Sequence, residues 1–232
     1  MMSPQARARI TGVVYLLFFV TAVAGAAFMP VAGGPIRVAG DAASIANRIT
    51  SHQATYELGV GLGLISTALY VLLTGLFYAL FRPVSRTLSV LAAFSSLVGC
   101  AVGAVGTLTL LAPLEILTGS YSRAFGAEQL QALALLFLNL NAQANHVALT
   151  FFGVFQLLLG YLIYRSGFLP PILGVLIAVA GVGWLLFLIP PLVSALVVYL
   201  EVLGFVAEAL LMVWLLVRGV NAARWAELAS RP

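Results

Sequence analysis

Glu201 and Glu208 stand seven residues apart inside one apolar run, Leu192–Val217. At 100° per residue, that spacing brings both carboxyls to one face of a helix, about 10 Å apart along its axis. A charged group at the centre of a membrane helix costs roughly 2.5–3.5 kcal/mol on insertion scales, so each carboxyl needs a reason to be there. The chemistry open to it is proton transfer, by alternation between neutral and charged forms. Gly204 lies between the two on the same face and admits a neighbouring helix closely. The stripe is therefore expected to face the interior of a bundle.

A second polar stripe lies upstream. Asn141 and Asn145 are four residues apart, and Asn145 and Gln156 are eleven apart, so all three share a helical face. His146 is rotated about 100° from Asn145, with Thr150 one turn below it. Tyr70 belongs to a further face with Gly59, Gly63, Ser66 and Thr74, and Ser95, Gly99, Gly103 and Gly106 form another. Polar side chains between membrane helices commonly hydrogen-bond to one another, at about 0.6 kcal/mol on average. Packing accounts for Asn, Gln, Ser and Thr on those terms, and His146 reads as an interfacial histidine. The glutamates are harder to explain as filler.

The sequence has no HExxH, Gly-rich phosphate loop, nucleophile elbow or cysteine pair. Two histidines do not supply the axial pairs of a two-haem membrane cytochrome. No catalytic residue, metal ligand or cofactor is assigned. Cys100, within an apolar run, reads as a buried, inert thiol.

These residues are carried by six apolar runs: Ile10–Met29, Leu58–Phe81, Thr87–Ala112, Ala144–Tyr164, Phe168–Pro190 and Leu192–Val217. A hydrocarbon core of roughly 30 Å needs about 20 helical residues to cross. Apolar residues are 62% of the chain and charged ones 8%, far from the balance of a soluble domain. The fold class is all-α: a polytopic membrane bundle of six helices, forming a single integral-membrane domain over residues 1–232. The first run, behind Arg7 and Arg9, is longer than a signal-peptide core and reads as an uncleaved span.

Between spans one and two, Gly33-Gly34-Pro35 breaks the helix and Asp41 offers an N-cap. Ala42, Ile45, Ala46 and Ile49 recur at helical spacing, with Asn47 and Arg48 opposite, the pattern of a short helix lying flat at the outer surface. Arg82-Pro83-Val84-Ser85-Arg86 makes a tight hairpin. Span three is expected to end near Pro113, before a polar loop at Thr118–Gly126. One helix over Ala127–Tyr164 would be about 57 Å long, too long for one crossing. A break or sharp bend is expected at Asn139–Asn145, where poor helix formers interrupt the pattern.

All eleven basic residues are arginine, and with the richness in Ala, Gly, Leu and Val this points to a GC-rich bacterial genome. Net charge is +4, but the arginines are scattered one or two per loop, which reports topology and not nucleic-acid binding. With a cytoplasmic N-terminus, Arg7, Arg9, Arg82, Arg86, Arg165, Arg218, Arg224 and Arg231 lie inside, and Arg37, Arg48 and Arg123 outside. The bias of eight against three places both termini in the cytoplasm of a bacterial inner (plasma) membrane. Counted from the inner arginines, Glu201, Asn145 and Glu57 lie in the outer half of the membrane and Glu208 nearer its middle.

The segment Gly160-Tyr-Leu-Ile-Tyr-Arg-Ser-Gly-Phe-Leu-Pro-Pro-Ile-Leu-Gly-Val-Leu176 resembles the hallmark of the bacterial domain-of-unknown-function 4386 family. Arg9-Ile-Thr-Gly-Val-Val-Tyr-Leu-Leu17 and Leu80-Phe-Arg-Pro-Val-Ser-Arg-Thr-Leu88 are similar to that family too, in the same order. The resemblance runs from about Arg9 to Gly219. It implies a six-helix bacterial membrane protein with no assigned activity, and it places the family's Gly-Glu or Ala-Glu pair of the last span on Glu208. Relatives often carry a basic residue where this chain has Pro171.

Three functions fit these residues. The leading one is a non-enzymatic membrane protein that binds a lipid or small amphiphile in an outer-half cavity of the bundle, using Glu201, Glu208, Asn141, Asn145, His146, Gln156 and Tyr70. The second is a proton-coupled transporter working through Glu208 with Glu201 as helper; six spans are few for that unless the protein forms a homo-oligomer. The third is a membrane-embedded enzyme with His146 and Glu201 as acid and base. The expected partners are membrane lipids and a small amphiphile.

Overall fold

A computed structural model describes residues 3–29 and 40–230. Its helices are α1 (Pro4–Phe28), α2 (Ala42–Ser51), α3 (Gln53–Phe81), α4 (Arg86–Thr118), α5 (Ala127–Ser166), α6 (Pro171–Leu185), α7 (Pro190–Val217) and α8 (Ala222–Ala229). Short 3₁₀ turns follow α4 and α6, at Ser120–Arg123 and Leu186–Leu188. No strand occurs among the described residues. Six helices are long and apolar enough to cross a membrane: α1, α3, α4, α5, α7 and α6 with its following turn. All six expose large apolar side chains, among them Val20, Leu72, Phe94, Val147, Val179 and Val213. Such surfaces suit acyl chains and not water.

The chain divides into two compact units. Unit 1 comprises Met1–Leu17, Leu69–Cys100 and Leu149–Pro232, within the described residues; unit 2 comprises Phe18–Ala68 and Ala101–Ala148. Each has its own packing logic.

Unit 1 is built on glycine contacts. On α5 and α6, Gly160 faces Gly174 and Gly153 faces Gly181, two pairs spaced seven residues apart on each helix. A Cβ on Gly160 would lie 2.6 Å from the Gly174 carbonyl oxygen and 2.7 Å from the Ala178 nitrogen. A Cβ on Gly181 would lie 2.9 Å from the Gly153 carbonyl oxygen. Only hydrogen fits between these backbones, the small-residue packing expected in lipid. The C-terminal end of α3 is satisfied in full. Its last carbonyls lack intrahelical partners. Here Tyr78 accepts from the Arg82 nitrogen, Ala79 from the Arg7 guanidinium at 2.9 Å, Leu80 from the Trp225 indole at 2.8 Å, and Phe81 from Val84 and Ser85. Arg7 also lies over the Trp225 ring, 5.1 Å from its centroid. Residues close to both ends of the chain thus cap a single helix.

Unit 2 has a smaller core, with buried Ile45 and Ile49 of α2, Tyr56 and Val60 of α3, and Leu138 of α5. The Asp41 side chain caps α2, accepting from the Ser44 nitrogen at 2.9 Å, and the apolar stripe Ile45, Ala46 and Ile49 is buried as its spacing predicts. The hairpin Arg82–Arg86 and the start of α6 at Pro171 also fall where expected.

Two boundaries differ from the sequence reading. The expected break or bend at Asn139–Asn145 is not a break: α5 is helical without interruption for 40 residues. Asn141 donates from Nδ2 to the Gly106 carbonyl of α4 at 3.0 Å, and Asn145 donates to Asn141 Oδ1 at 3.2 Å. Their side chains are thus engaged elsewhere and do not compete for their own backbone, which is how asparagine weakens helices. Likewise α4 does not stop near Pro113 but continues to Thr118. Proline removes the donor that the Thr109 carbonyl would use and crowds that turn. Side chains bond to neighbouring carbonyls of that stretch: the Thr109 hydroxyl donates to the Gly106 carbonyl at 2.6 Å, and the Tyr56 hydroxyl donates to the Leu110 carbonyl at 2.5 Å. The Gly33-Gly34-Pro35 break, Arg37 and Arg231 lie outside the described residues.

Candidate functional site

The polar centre of unit 1 is Glu208. Helix α7 buries Gly204, Ala207, Leu211 and Leu215 along one stripe, and Glu208 flanks it. A Cβ at Gly204 would collide with the Trp184 indole, so the glycine is what lets α6 close on α7 at this level. The Glu208 carboxyl takes a hydrogen bond from the Tyr15 hydroxyl of α1, 2.8 Å to Oε2. Its other oxygen accepts from Gln156 Nε2 of α5. Tyr70 of α3 is buried within electrostatic reach of the same carboxyl.

The surroundings are aromatic and close-packed. Tyr15 meets Phe77 edge-on at 5.7 Å, and Tyr70 meets Phe152 edge-on at 5.0 Å. Among the described residues no cation faces Glu208; the ion pair they hold is Arg224–Glu227, in α8. The buried Gln156 Oε1 has no hydrogen-bond partner. Such an orphan acceptor costs about 1–3 kcal/mol, so it calls for an explanation.

The predicted site residues divide among different surroundings. Glu208, Gln156 and Tyr70 come together in unit 1, joined by Tyr15, which the sequence reading missed. A tyrosine deep in an apolar span carries a hydroxyl that must find a partner, and that was the available signal. Glu201 shares the face of Glu208 by periodicity, yet it is exposed, so the expectation that both carboxyls face inward holds for Glu208 and fails for Glu201. Periodicity gives the direction of a side chain but not whether a neighbour covers it at that height. Asn141 and Asn145 belong to unit 2 and bond to Gly106 and to each other. His146 is half-buried in unit 2, whereas Glu201 belongs to unit 1.

Unit 2 has a second candidate, also missed. A cavity of about 380 Å³, open to the surface, is lined by Ala27 and Phe28 of α1, Arg48 of α2, His52 at the end of α2, and Thr55 of α3. That is within the usual range of ligand pockets, about 300–1,000 Å³. Its polar groups have defined roles. His52 Nδ1 lies 3.2 Å from the Arg48 carbonyl and 3.1 Å from the Ser51 hydroxyl, so that side of the ring is engaged and Nε2 is left for another partner. The Thr55 hydroxyl gives its hydrogen to the His52 carbonyl at 2.8 Å and keeps its lone pairs. The Arg48 guanidinium is exposed and has no side-chain bond among the described residues. The sequence signal was Arg48 on the polar side of α2; nothing in the spacing tied it to Phe28.

The model of a family described as domain of unknown function (DUF4386) matches residues 10–219. Among curated proteins, an uncharacterized protein of Archaeoglobus fulgidus is 31% identical over 157 residues, covering 67% of this chain and 78% of that protein. No solved structure matches.

Proposed function

Because the chain belongs to the DUF4386 family, multi-pass membrane proteins whose activity is unassigned, we propose a function from the cavity of unit 2: binding of an anionic amphiphile. The observation that supports this reading is the lining itself. Ala27 and Phe28 offer an apolar wall for a tail, and Arg48 offers a guanidinium fork for a phosphate or carboxylate, the geometry at which arginine excels. His52 Nε2 and the Thr55 lone pairs would meet hydroxyls of the headgroup. An acidic glycerophospholipid with a hydroxylated head has all three features. On the positive-inside reading of the arginines, this cavity would open at the outer face, beside α2 as a surface helix.

The test is native mass spectrometry of protein purified in mild detergent and mixed with phosphatidylglycerol or phosphatidylcholine. The wild type should retain the acidic lipid preferentially, and Arg48→Ala should lose that preference. Arg48 is exposed, so this variant keeps the fold. Equal retention of the two lipids by the wild type, or an unchanged preference in Arg48→Ala, would sink the proposal.

A further inference from the structure

The centre of unit 1 holds something the amphiphile reading does not use. Among the described residues, the groups that hydrogen-bond to Glu208 or lie within electrostatic reach of it are amphoteric in hydrogen bonding. Tyr15 of α1 and Tyr70 of α3 carry hydroxyls that donate and accept, and Gln156 of α5 carries an amide with a donor end and an acceptor end. From α4, Cys100 lies within electrostatic reach of Tyr70, and α6 contributes no ionisable side chain. A structural ion pair would have placed an arginine here, a donor in every state. Instead the carboxyl has partners able to satisfy it with or without a proton.

Gln156 makes the point concrete. In the structure Nε2 faces the carboxyl and the buried Oε1 is left idle, the arrangement that suits an ionised Glu208. With a proton on the facing oxygen of Glu208, a half-turn of the amide brings Oε1 round to accept it, while Tyr15 still donates to the other oxygen. An amide exchanges its two ends at almost no change in shape.

We propose that Glu208 is a reversible proton-binding site inside the membrane bundle, with Gln156 as the positioning residue whose amide turns over as the proton comes and goes. One proton from water adds to one carboxylate oxygen and leaves again by the same bond. No electron moves and Tyr15 keeps its hydrogen. Unit 1 is then the proton-responsive part of the protein, by an argument independent of what the cavity of unit 2 binds.

Infrared difference spectroscopy of the protein in nanodiscs, with buffer cycled between mildly acidic and mildly alkaline, tests this directly. The wild type should show a protonated-carboxyl band that disappears and returns with the cycle. Glu208→Gln should lack it. Gln156→Met should keep a titrating band at a shifted frequency, because the carboxyl has lost its amide acceptor; a purely structural role for Gln156 would leave the frequency unchanged. If a variant does not fold, isotope-edited signals of the Gln156 amide in the wild type take its place and should change over the same pH range as the carboxyl. A band that persists in Glu208→Gln, or an amide signal indifferent to pH, would overturn the proposal.

Discussion

Unit 1 and unit 2 treat ionisable groups in opposite ways. In unit 1 the carboxyl of Glu208 is held between the buried Tyr15 and Gln156. In unit 2 the guanidinium of Arg48 and the imidazole of His52 are exposed at the mouth of a cavity. The difference follows from what each unit packs with. Glycine pairs bring the backbones of α5 and α6 into contact in unit 1 and leave little space for a ligand; a cleft of about 10 Å³ between Phe77, Phe155 and Ser89 has room for about one water molecule. Unit 2 relies on a short amphipathic helix anchored by two isoleucines, whose polar side is free to meet something else. A close-packed site suits a proton. An open one suits a molecule with a head and a tail.

The contrast is broken most severely at the glycines. Gly160→Ala places a Cβ against two backbone atoms of α6, which cannot step aside as a side-chain tip would. Overpacking of this kind costs about 1–3 kcal/mol and occasionally more. Thermal unfolding in detergent should show a large drop in midpoint. Gly61→Ala, in unit 2, meets nothing within 4 Å and should be neutral or stabilising by up to about 1 kcal/mol, from helix propensity alone. Equal effects at the two positions would mean that unit 1 is not packed through glycine contact.

A smaller effect is expected at Tyr56 in unit 2. Its ring is buried and its hydroxyl serves the Leu110 carbonyl, one residue beyond the carbonyl orphaned by Pro113. Tyr56→Phe keeps the ring and removes the hydrogen bond, a loss of about 0.5–1.5 kcal/mol. Unfolding measurements should register it, and paired Tyr56→Phe and Pro113→Ala changes should be non-additive. Simple additivity would show that the hydroxyl and the proline are not coupled.

These contrasts also show what a sequence can disclose. Six spans, the cap at Asp41, the buried stripe Ile45–Ile49 and the inward direction of Glu208 were all legible, because hydropathy, capping chemistry and helical periodicity are local properties. The continuity of α5 through three asparagines and of α4 through Pro113 was not. In both places the chain meets a partner supplied by another helix: Asn141 bonds the Gly106 carbonyl, and the Tyr56 hydroxyl bonds the Leu110 carbonyl beside the proline turn. Tyr15 was missed for the same reason, since its partner lies 193 residues away. Exposure of Glu201 could not be read either, because periodicity does not say whether a neighbour covers a side chain.

The smallest expected effect tests how far the cavity of unit 2 depends on α2 being a helix at all. Arg48 and His52 lie at the end of α2 remote from Asp41, so fraying of that helix would scatter them. The Ser44 backbone N–H bonded to the Asp41 carboxylate holds its pKa below the ordinary value of 3.8. A carboxyl depressed in the folded state stabilises above its unfolded value, and the contribution fades as pH falls through the lower, folded value. The order of α2 should therefore be full at neutral pH and weaken only under acid conditions below about 3.8. Asp41→Asn keeps a capping oxygen that takes no proton there, and should remove the acid dependence while leaving α2 intact. Asp41→Ala should lower amide-exchange protection at Ser44 and Ile45 at every pH, with a modest loss of acidic-lipid retention. Protection lost without any change in retention would separate the cavity from the helix and place its affinity in Phe28 and Thr55 instead.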